Sequence, residues 1–235
     1  MLKQAVFLVG GRGTRLGPLT DATPKPLLPV AGRPFLDYLI DNAARQGFSD
    51  IVLLCGYLAS VLAQHYAGPG PHGSTVRLVV EPEPAGTAGA LLYARELLDD
   101  RFLMCNGDSL FACDLAALQE RAGEADRTAF LALRRSAPGR RSGTVRLVGN
   151  DIRSFHAPEE NVEGPVNAGV YVIRRDLLDW IGPPPCSIEQ DVFPRLAADG
   201  RLGGGILEGY FIDIGVPEDY ERANREVAAV LAVDR

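Results

Sequence analysis

The sequence predicts an α/β protein built on a doubly wound, mixed sheet. Three observations point there. Short apolar runs alternate with longer amphipathic segments through the first half, a glycine-rich turn follows the first run directly, and the second half carries strand-like runs with few helices between them. Alternation of this kind requires right-handed crossovers and a largely parallel sheet covered on both faces.

Taken in order, Gln4 to Val9 reads as a buried strand. Pro34 to Gln46 reads as a helix, because Pro34 suits a first turn, Phe35, Leu36, Leu39, Ile40, Ala43 and Ala44 recur at helical spacing, and Gly47 stops it. Ile51 to Leu54 is a second strand, Tyr57 to Tyr66 a second helix, Thr75 to Val80 a third strand, Thr87 to Leu98 a third helix and Phe102 to Cys105 a fourth strand. Beyond these, Ala129 to Arg134, Thr144 to Leu147, Ile152 to Phe155 and Val166 to Ile173 read as strands, and so does Tyr210 to Gly215. Helices return at Ile188 to Ala198 and Pro217 to Val230. There is no repeat, low-complexity tract or clear linker, so one domain is expected over 1–235. Its more regular half is 1–125 and its mixed half 126–235.

The bulk properties narrow the function. A chain of 235 residues with 46% hydrophobic and 23% charged side chains suits a globular core. A net charge of -6 without a basic stretch argues against a nucleic-acid partner. No apolar run approaches the ~20 residues that span a bilayer, so no membrane is expected. The four cysteines form no CxxC pair, which fits a reduced, cytoplasmic location.

The strongest chemical signal is Gly10-Gly11-Arg12-Gly13-Thr14-Arg15-Leu16, set directly after the first strand. Glycines there let backbone N–H groups approach an anion, and Arg15 adds a charged fork for phosphate oxygens. The loop is not a P-loop, which needs Gly-Lys-Ser/Thr after its glycine run. Nor does it complete the dinucleotide fingerprint, because Leu16 takes the third glycine position and Pro18, Pro24, Pro26 and Pro29 hold the following stretch extended. Only Lys3 and Lys25 are lysines among 24 basic residues. A lysine held between Pro24 and Pro26 in so arginine-rich a chain points to a compact charge for a phosphoryl group. Two acids complete the set. Asp108, after Asn106-Gly107, follows a strand at the sheet edge where open α/β proteins bind ligands. Asp213 ends an apolar run, where an unpaired carboxylate is costly. Together they suit a Mg²⁺ ion that keeps several waters and bridges phosphates.

These residues resemble the sugar-phosphate nucleotidyltransferases, and most of all the short mannose and heptose 1-phosphate guanylyltransferases. The resemblance runs from about Ala5 to Glu226. It rests on Gly10 to Thr20, Pro24-Lys25-Pro26, Gly86-Thr87-Ala88-Gly89-Ala90, Gly107-Asp108, Asn167-Ala168-Gly169-Val170-Tyr171, Ser187-Ile188-Glu189-Gln190-Asp191 and Asp213-Ile214-Gly215-Val216-Pro217. It implies a single nucleotidyltransferase catalytic domain over 1–235 with a Rossmann-like fold of the nucleotide-diphospho-sugar transferase type, a nucleotide-binding half at about 1–125, a sugar-binding half at about 126–235 and, here, no appended β-helix domain. It implies transfer of a nucleoside monophosphate from a nucleoside triphosphate to a sugar 1-phosphate, with GTP and a manno-configured heptose or hexose the favoured pair over dTTP, UTP or ATP. By residue, it implies that Gly10, Gly11, Gly13, Thr14 and Arg15 hold the triphosphate, that Lys25 stabilises phosphate charge, and that Glu81, Gly86 and Thr87 lie at the base or ribose. Asn106, Gly143, Asn167, Gly169 and Glu189 then line the sugar, and Asp108 and Asp213 bind Mg²⁺. Such enzymes often dimerise or tetramerise, so a homo-oligomer is also implied.

The chain departs from the family on the sugar side. Members usually carry Glu-Lys after the equivalent of Phe155, and the Lys holds the sugar's phosphate. Here Ala157 and Pro158 align, with Arg153, His156, Glu159 and Glu160 nearby, and Gln190 stands where the short enzymes tend to have Lys. That loss favours one rival, a silent regulatory subunit that binds nucleotide sugars; the intact Arg15, Lys25, Asp108 and Asp213 oppose it. A second rival, a Rossmann oxidoreductase, is opposed by Leu16 and the prolines.

Overall fold

Gln4–Leu8, the first apolar run, forms strand β1, and short elements then alternate along the computed structural model, which describes residues 1–66, 69–136, 143–156 and 163–233. In chain order they are β2 (Pro29–Val30), β3 (Arg33–Pro34), α1 (Phe35–Arg45), β4 (Asp50–Cys55), α2 (Ala59–His65), β5 (Thr75–Val80), α3 (Gly86–Tyr93), β6 (Arg101–Asn106) and β7 (Ser109–Cys113). Then come α4 (Leu115–Ala125), β8 (Ala129–Ser136), β9 (Val145–Val148), β10 (Asp151–Phe155), β11 (Gly164–Arg174), α5 (Phe193–Ala198), β12 (Leu202–Ile206), β13 (Gly209–Asp213) and α6 (Pro217–Val233). The α/β class and the mixed strand directions agree with the sequence reading.

The chain forms two compact units, each discontinuous in sequence. The glycine-loop unit takes Lys3–Glu83, Cys105–Ala112 and Tyr210–Arg235, and the β8 unit takes Met1–Leu2, Pro84–Met104 and Cys113–Gly209. The regions 1–125 and 126–235 therefore interleave between the units.

In the glycine-loop unit, β1, β4 and β5 pair in parallel, with Gln4 opposite Asp50 and Asp50 opposite Thr75. Strands buried on both faces read as continuous apolar runs, which is why Ala5 to Leu8 and Ile51 to Cys55 lack polar alternation. Phe35, Leu36, Ile40, Phe48 and Phe111 are buried here. At the chain end, α6 is tied back by the Tyr220 hydroxyl to the Pro29 carbonyl (2.7 Å) and by Asn224 Oδ1 to the Ala31 N–H (3.0 Å).

In the β8 unit, β8 lies between antiparallel β11 and parallel β12, and β10 pairs antiparallel with β12 and β9. Phe102, Phe130, Tyr171 and Phe193 fill its core. Five elements escaped the sequence reading, β2, β3, β7, α4 and β12, and two of them belong wholly to this unit. Helix α4 is announced by Asp114, whose carboxylate accepts from the N–H groups of Ala116 (2.9 Å) and Ala117 (3.0 Å). Strand β12 reads Leu-Gly-Gly-Gly-Ile, a composition that looks like a loop, but its glycines make room for large neighbours. A Cβ on Gly203 would meet the Phe130 ring at 2.7 Å.

Two expected helices end differently. The segment expected as a helix from Thr87 to Leu98 is α3 followed by a tight turn at Arg95–Leu97. The segment Ile188 to Ala198 divides into a π-turn at Ile188–Val192 and α5, the break falling where Pro194 withholds an N–H. Gly203→Val should lower unfolding stability by about 1–3 kcal/mol through overpacking against Phe130; chemical denaturation that returns the parent midpoint would show that β12 has room to spare.

Candidate active site

The ladder between β1 and β4 closes where the Val9 N–H meets the Leu54 carbonyl (3.0 Å), and the glycine loop begins there. The loop does not run extended, as its prolines suggested. It coils into tight turns at Thr14–Thr20 and Lys25–Leu27, with Pro18 and Pro26 inside them. Proline fits such turns because its fixed φ matches the first turn and its missing N–H is not needed there. Gly13 adopts φ 66, and a Cβ on it would lie 3.0 Å from Lys25 Cβ and 3.1 Å from Thr20 Cγ2. The Thr20 hydroxyl faces the carbonyls of Gly13 (3.3 Å) and Gly17 (3.1 Å), closing the loop on itself. Leu16, where a dinucleotide fingerprint would have glycine, is buried and anchors the turn. Gly11, Thr14 and Arg15 stay exposed.

Lys25 is only 7% exposed. Its ammonium donates to Asp108 Oδ2 at 2.6 Å. Asp108 is held where β6 turns into β7: the Gly107 N–H reaches the Leu8 carbonyl (3.0 Å), and the Ile214 N–H reaches the Asp108 carbonyl (3.0 Å). A Cβ on Gly107 would fall 2.5 Å from that same Leu8 oxygen, so only glycine admits this approach. The Ser109 hydroxyl faces Asp108 Oδ1 at 3.1 Å and Asp213 Oδ2 at 3.3 Å. Having one proton, it can serve only one carboxylate at a time. Gly215 N–H donates to the other Asp213 oxygen. Asp213 titrates above the ordinary carboxylate range, first because it is buried and then because Asp108 carries like charge; Lys25, Gly215 and Ser109 pull the other way.

Two crowded carboxylates with hard oxygen donors fit a divalent cation such as Mg²⁺. Among the described residues no group of three or more His, Cys, Asp and Glu side chains is arranged to hold a metal ion. Two protein carboxylates match Mg²⁺, which takes one or two and fills its octahedron with water and phosphate. Glu81, at the end of β5, sets its carboxylate against the backbone of Gly10 and Gly56, and a Cβ on either glycine would collide with it. The structure thus brings Gly10, Gly11, Gly13, Thr14, Arg15, Lys25, Glu81, Asn106, Asp108 and Asp213 into one unit. Asn106, expected at the sugar, ends β6 two residues before Asp108.

The remaining expected residues belong to the β8 unit. Gly86 and Thr87 are engaged there by the segment before Glu189. Gly86 has φ 78, and its missing Cβ would meet the Cys186 carbonyl oxygen at 2.5 Å. The N–H groups of Ala88 (2.9 Å) and Gly89 (3.3 Å) donate to that oxygen, and the Ile188 N–H donates to Thr87 Oγ1 (2.8 Å). Asn167 is aimed by a bulge in β11, where Gly169 at φ 74 returns its N–H to Asn167 Oδ1 (2.9 Å). Asn167 Nδ2 donates to Tyr171 (2.9 Å) and to Glu189 Oε1 (3.3 Å), and the Tyr171 hydroxyl donates to that same oxygen (2.9 Å). Thr144 bridges Val166 antiparallel, which sets Gly143 level with Asn167. Ala157, Pro158, Glu159 and Glu160 lie outside the described residues. Ser109 and Tyr171 were not singled out by sequence. Ser109 does follow Asp108 directly, and Tyr171 lies in the Asn167 motif, but nothing in the sequence shows which carboxylate each one meets.

The Nucleotidyl transferase family profile matches residues 4–230. The chain belongs to that family. It is 34% identical to the D-glycero-alpha-D-manno-heptose 1-phosphate guanylyltransferase of Aneurinibacillus thermoaerophilus, over 95% of this chain and 98% of that protein. It is 36% identical to the mannose-1-phosphate guanylyltransferase of Mycobacterium tuberculosis, over 97% of this chain but 65% of that longer protein. Its fold matches the crystal structure of HddC from Yersinia pseudotuberculosis with a TM-score of 0.85, 28% identity, and coverage of 96% of this chain and 100% of that one. HddC has also been solved complexed with GMP-PN. Among the described residues of this chain, no helix is long and apolar enough to cross a membrane.

A raised carboxyl pKa means that the folded chain holds the proton more tightly than the unfolded chain does. Ionised Asp213 therefore costs stability above its raised pKa, and the cost fades as pH falls toward the ordinary 3.8. Asp213→Asn should raise Tm in magnesium-free buffer at pH 7 and change it less at pH 4. A lower Tm at pH 7 would mean that the acid pair is not under repulsion.

Proposed function

We propose that this chain transfers a guanylyl group from GTP to a manno-configured sugar 1-phosphate, D-glycero-D-manno-heptose 1-phosphate or mannose 1-phosphate, releasing pyrophosphate. The observation that carries this reading is the convergence, within one unit, of the glycine loop, the buried Lys25 and the Asp108–Asp213 pair. Kinship over nearly the full length of a heptose 1-phosphate guanylyltransferase supports the substrate pair.

The reaction balances simply. A phosphate oxygen of the sugar 1-phosphate forms a bond to the α-phosphorus, the bond to the β-phosphate oxygen breaks, and its electron pair leaves with pyrophosphate. The attacking phosphate is already ionised near neutrality, so the chain supplies position and charge rather than a nucleophile. Gly11, Gly13, Thr14 and Arg15 hold the phosphates. Lys25 turns its ammonium to the phosphate charge that grows as the bonds exchange. Asp108 and Asp213 hold Mg²⁺, which when bound neutralises phosphate oxygens. Glu81 favours guanine on chemical grounds: a carboxylate only accepts, and guanine alone offers adjacent N1–H and N2–H donors on one edge. In the β8 unit, Gly86 and Thr87, expected at the base, fasten the segment that carries Glu189, and Gly143, Asn167, Gly169 and Glu189 take the sugar hydroxyls.

The test is a matrix of GTP, dTTP, UTP and ATP against hexose and heptose 1-phosphates, read by product mass. The expected product is a GDP-sugar; a higher kcat/KM with dTTP or UTP would reassign the base, and no turnover with any pair would leave a silent binding subunit. Two variants probe the roles. Asp108→Asn should abolish magnesium-supported turnover while the chain still folds cooperatively. Lys25→Arg should cost at least about tenfold in kcat, because Gly13 and Gly215 close in on a lysine-sized side chain; wild-type turnover would show that any cation serves.

A further inference from the structure

One residue from outside the glycine loop holds both of its ends. Tyr57 follows β4; its N–H donates to the Gly10 carbonyl (3.1 Å) and its hydroxyl donates to the Asp21 carbonyl (3.0 Å). Gly10 opens the loop and Asp21 ends the turn Thr14–Thr20. The phenol ring between these two bonds is not idle, since the guanidinium carbon of Arg12 lies over it, 5.0 Å from its centroid.

Stacking on a ring restricts a guanidinium without spending its hydrogen bonds. The attraction acts through the flat face, and the five N–H donors remain in the plane, pointing outward. Arg12 is exposed and forms no ion pair among the described residues. It therefore combines a ring to rest on, unspent donors and full positive charge, four residues beyond β1 and flanked by Gly11 and Gly13. Other arginines among the described residues are held by a carboxylate, as Arg127 is by Asp151 at 2.8 Å. Arg12 is fixed by a group that leaves its charge unneutralised, which suits a ligand that supplies the anion.

We propose that Arg12, placed over the Tyr57 ring, is a further phosphate-binding residue that grips the β- and γ-phosphates of the nucleotide and, after transfer, the pyrophosphate. Tyr57 is its positioning residue. The inference rests on the nucleotide reading above and extends it to a residue of the loop with no role there. It also divides labour within the loop: Lys25 is buried against the acids, where charge changes as bonds exchange, whereas Arg12 holds the part of the nucleotide that departs.

The test is equilibrium binding by calorimetry in the presence of Mg²⁺, with GTP, GMP and inorganic pyrophosphate as separate probes. Arg12→Met should weaken GTP and pyrophosphate about tenfold and leave GMP within about twofold, the size expected for loss of a charge-assisted contact. Tyr57→Leu should reproduce that pattern, Tyr57→Phe should keep most of the pyrophosphate affinity because the ring remains, and Arg12→Met with Tyr57→Leu together should be no worse than Arg12→Met alone. Equal losses for GMP and pyrophosphate would overturn the proposal, since they mean the pair merely shapes the loop. Additive losses in the double variant would overturn the positioning role of Tyr57. If the parent protein binds no GTP at all, the nucleotide reading itself fails, an outcome distinct from either of these.

Discussion

A lysine ammonium with 7% exposure has to be neutralised, and the glycine-loop unit is shaped around the way Lys25 meets that demand. The ion pair with Asp108 fixes where β6 must end, because the carboxylate can reach the ammonium only if Gly107 slides past the Leu8 carbonyl. It fixes the loop as well. Gly13 lies against the lysine stem, and a Cβ on Gly215 would stand 3.3 Å from the ammonium. Three separated stretches of chain are thus committed to one charge.

The same corner holds one negative charge too many. Lys25 balances Asp108, and Asp213 titrates high, first because it is buried and then because Asp108 carries like charge, despite the support of Lys25, Gly215 and Ser109. A folded chain that keeps a repelling carboxylate beside another gives up stability for it, and such concessions concentrate where a ligand supplies the missing charge. The excess acid and the exposed Arg15 are complementary in this sense. One attracts a cation, the other an anion, and a metal-bound triphosphate brings both.

Much of this was legible in the sequence, and the reasons are specific. The alternation of β1, α1, β4, α2 and β5 was readable because buried parallel strands and amphipathic helices leave strong local periods. Lys25 stood out by scarcity, and Asp108 and Asp213 by following apolar strands. What escaped depends on partners far away in sequence. The run Gly203-Gly204-Gly205 looks like a flexible loop until Phe130 and Ile152 are seen to occupy the space its side chains would need. The prolines after the glycine loop suggested an extended chain, whereas Thr20 folds it into tight turns. Ser109 is one of many serines until Asp213, 104 residues later, arrives beside it.

Gly86 and Thr87 show how a motif and a contact can diverge. The pattern Gly-Thr-Ala-Gly suggests a helix start offered to a ligand. In the structure that start is already taken, because the Cys186 carbonyl accepts from Ala88 and Gly89, and Thr87 accepts from Ile188. Gly86 must be glycine to let Cys186 so close. The physical service of the motif in this unit is therefore to fasten the turn that carries Glu189, whose carboxylate accepts from Tyr171 and Asn167. A residue can be required for a substrate without touching it, when its contribution is to hold the segment that does.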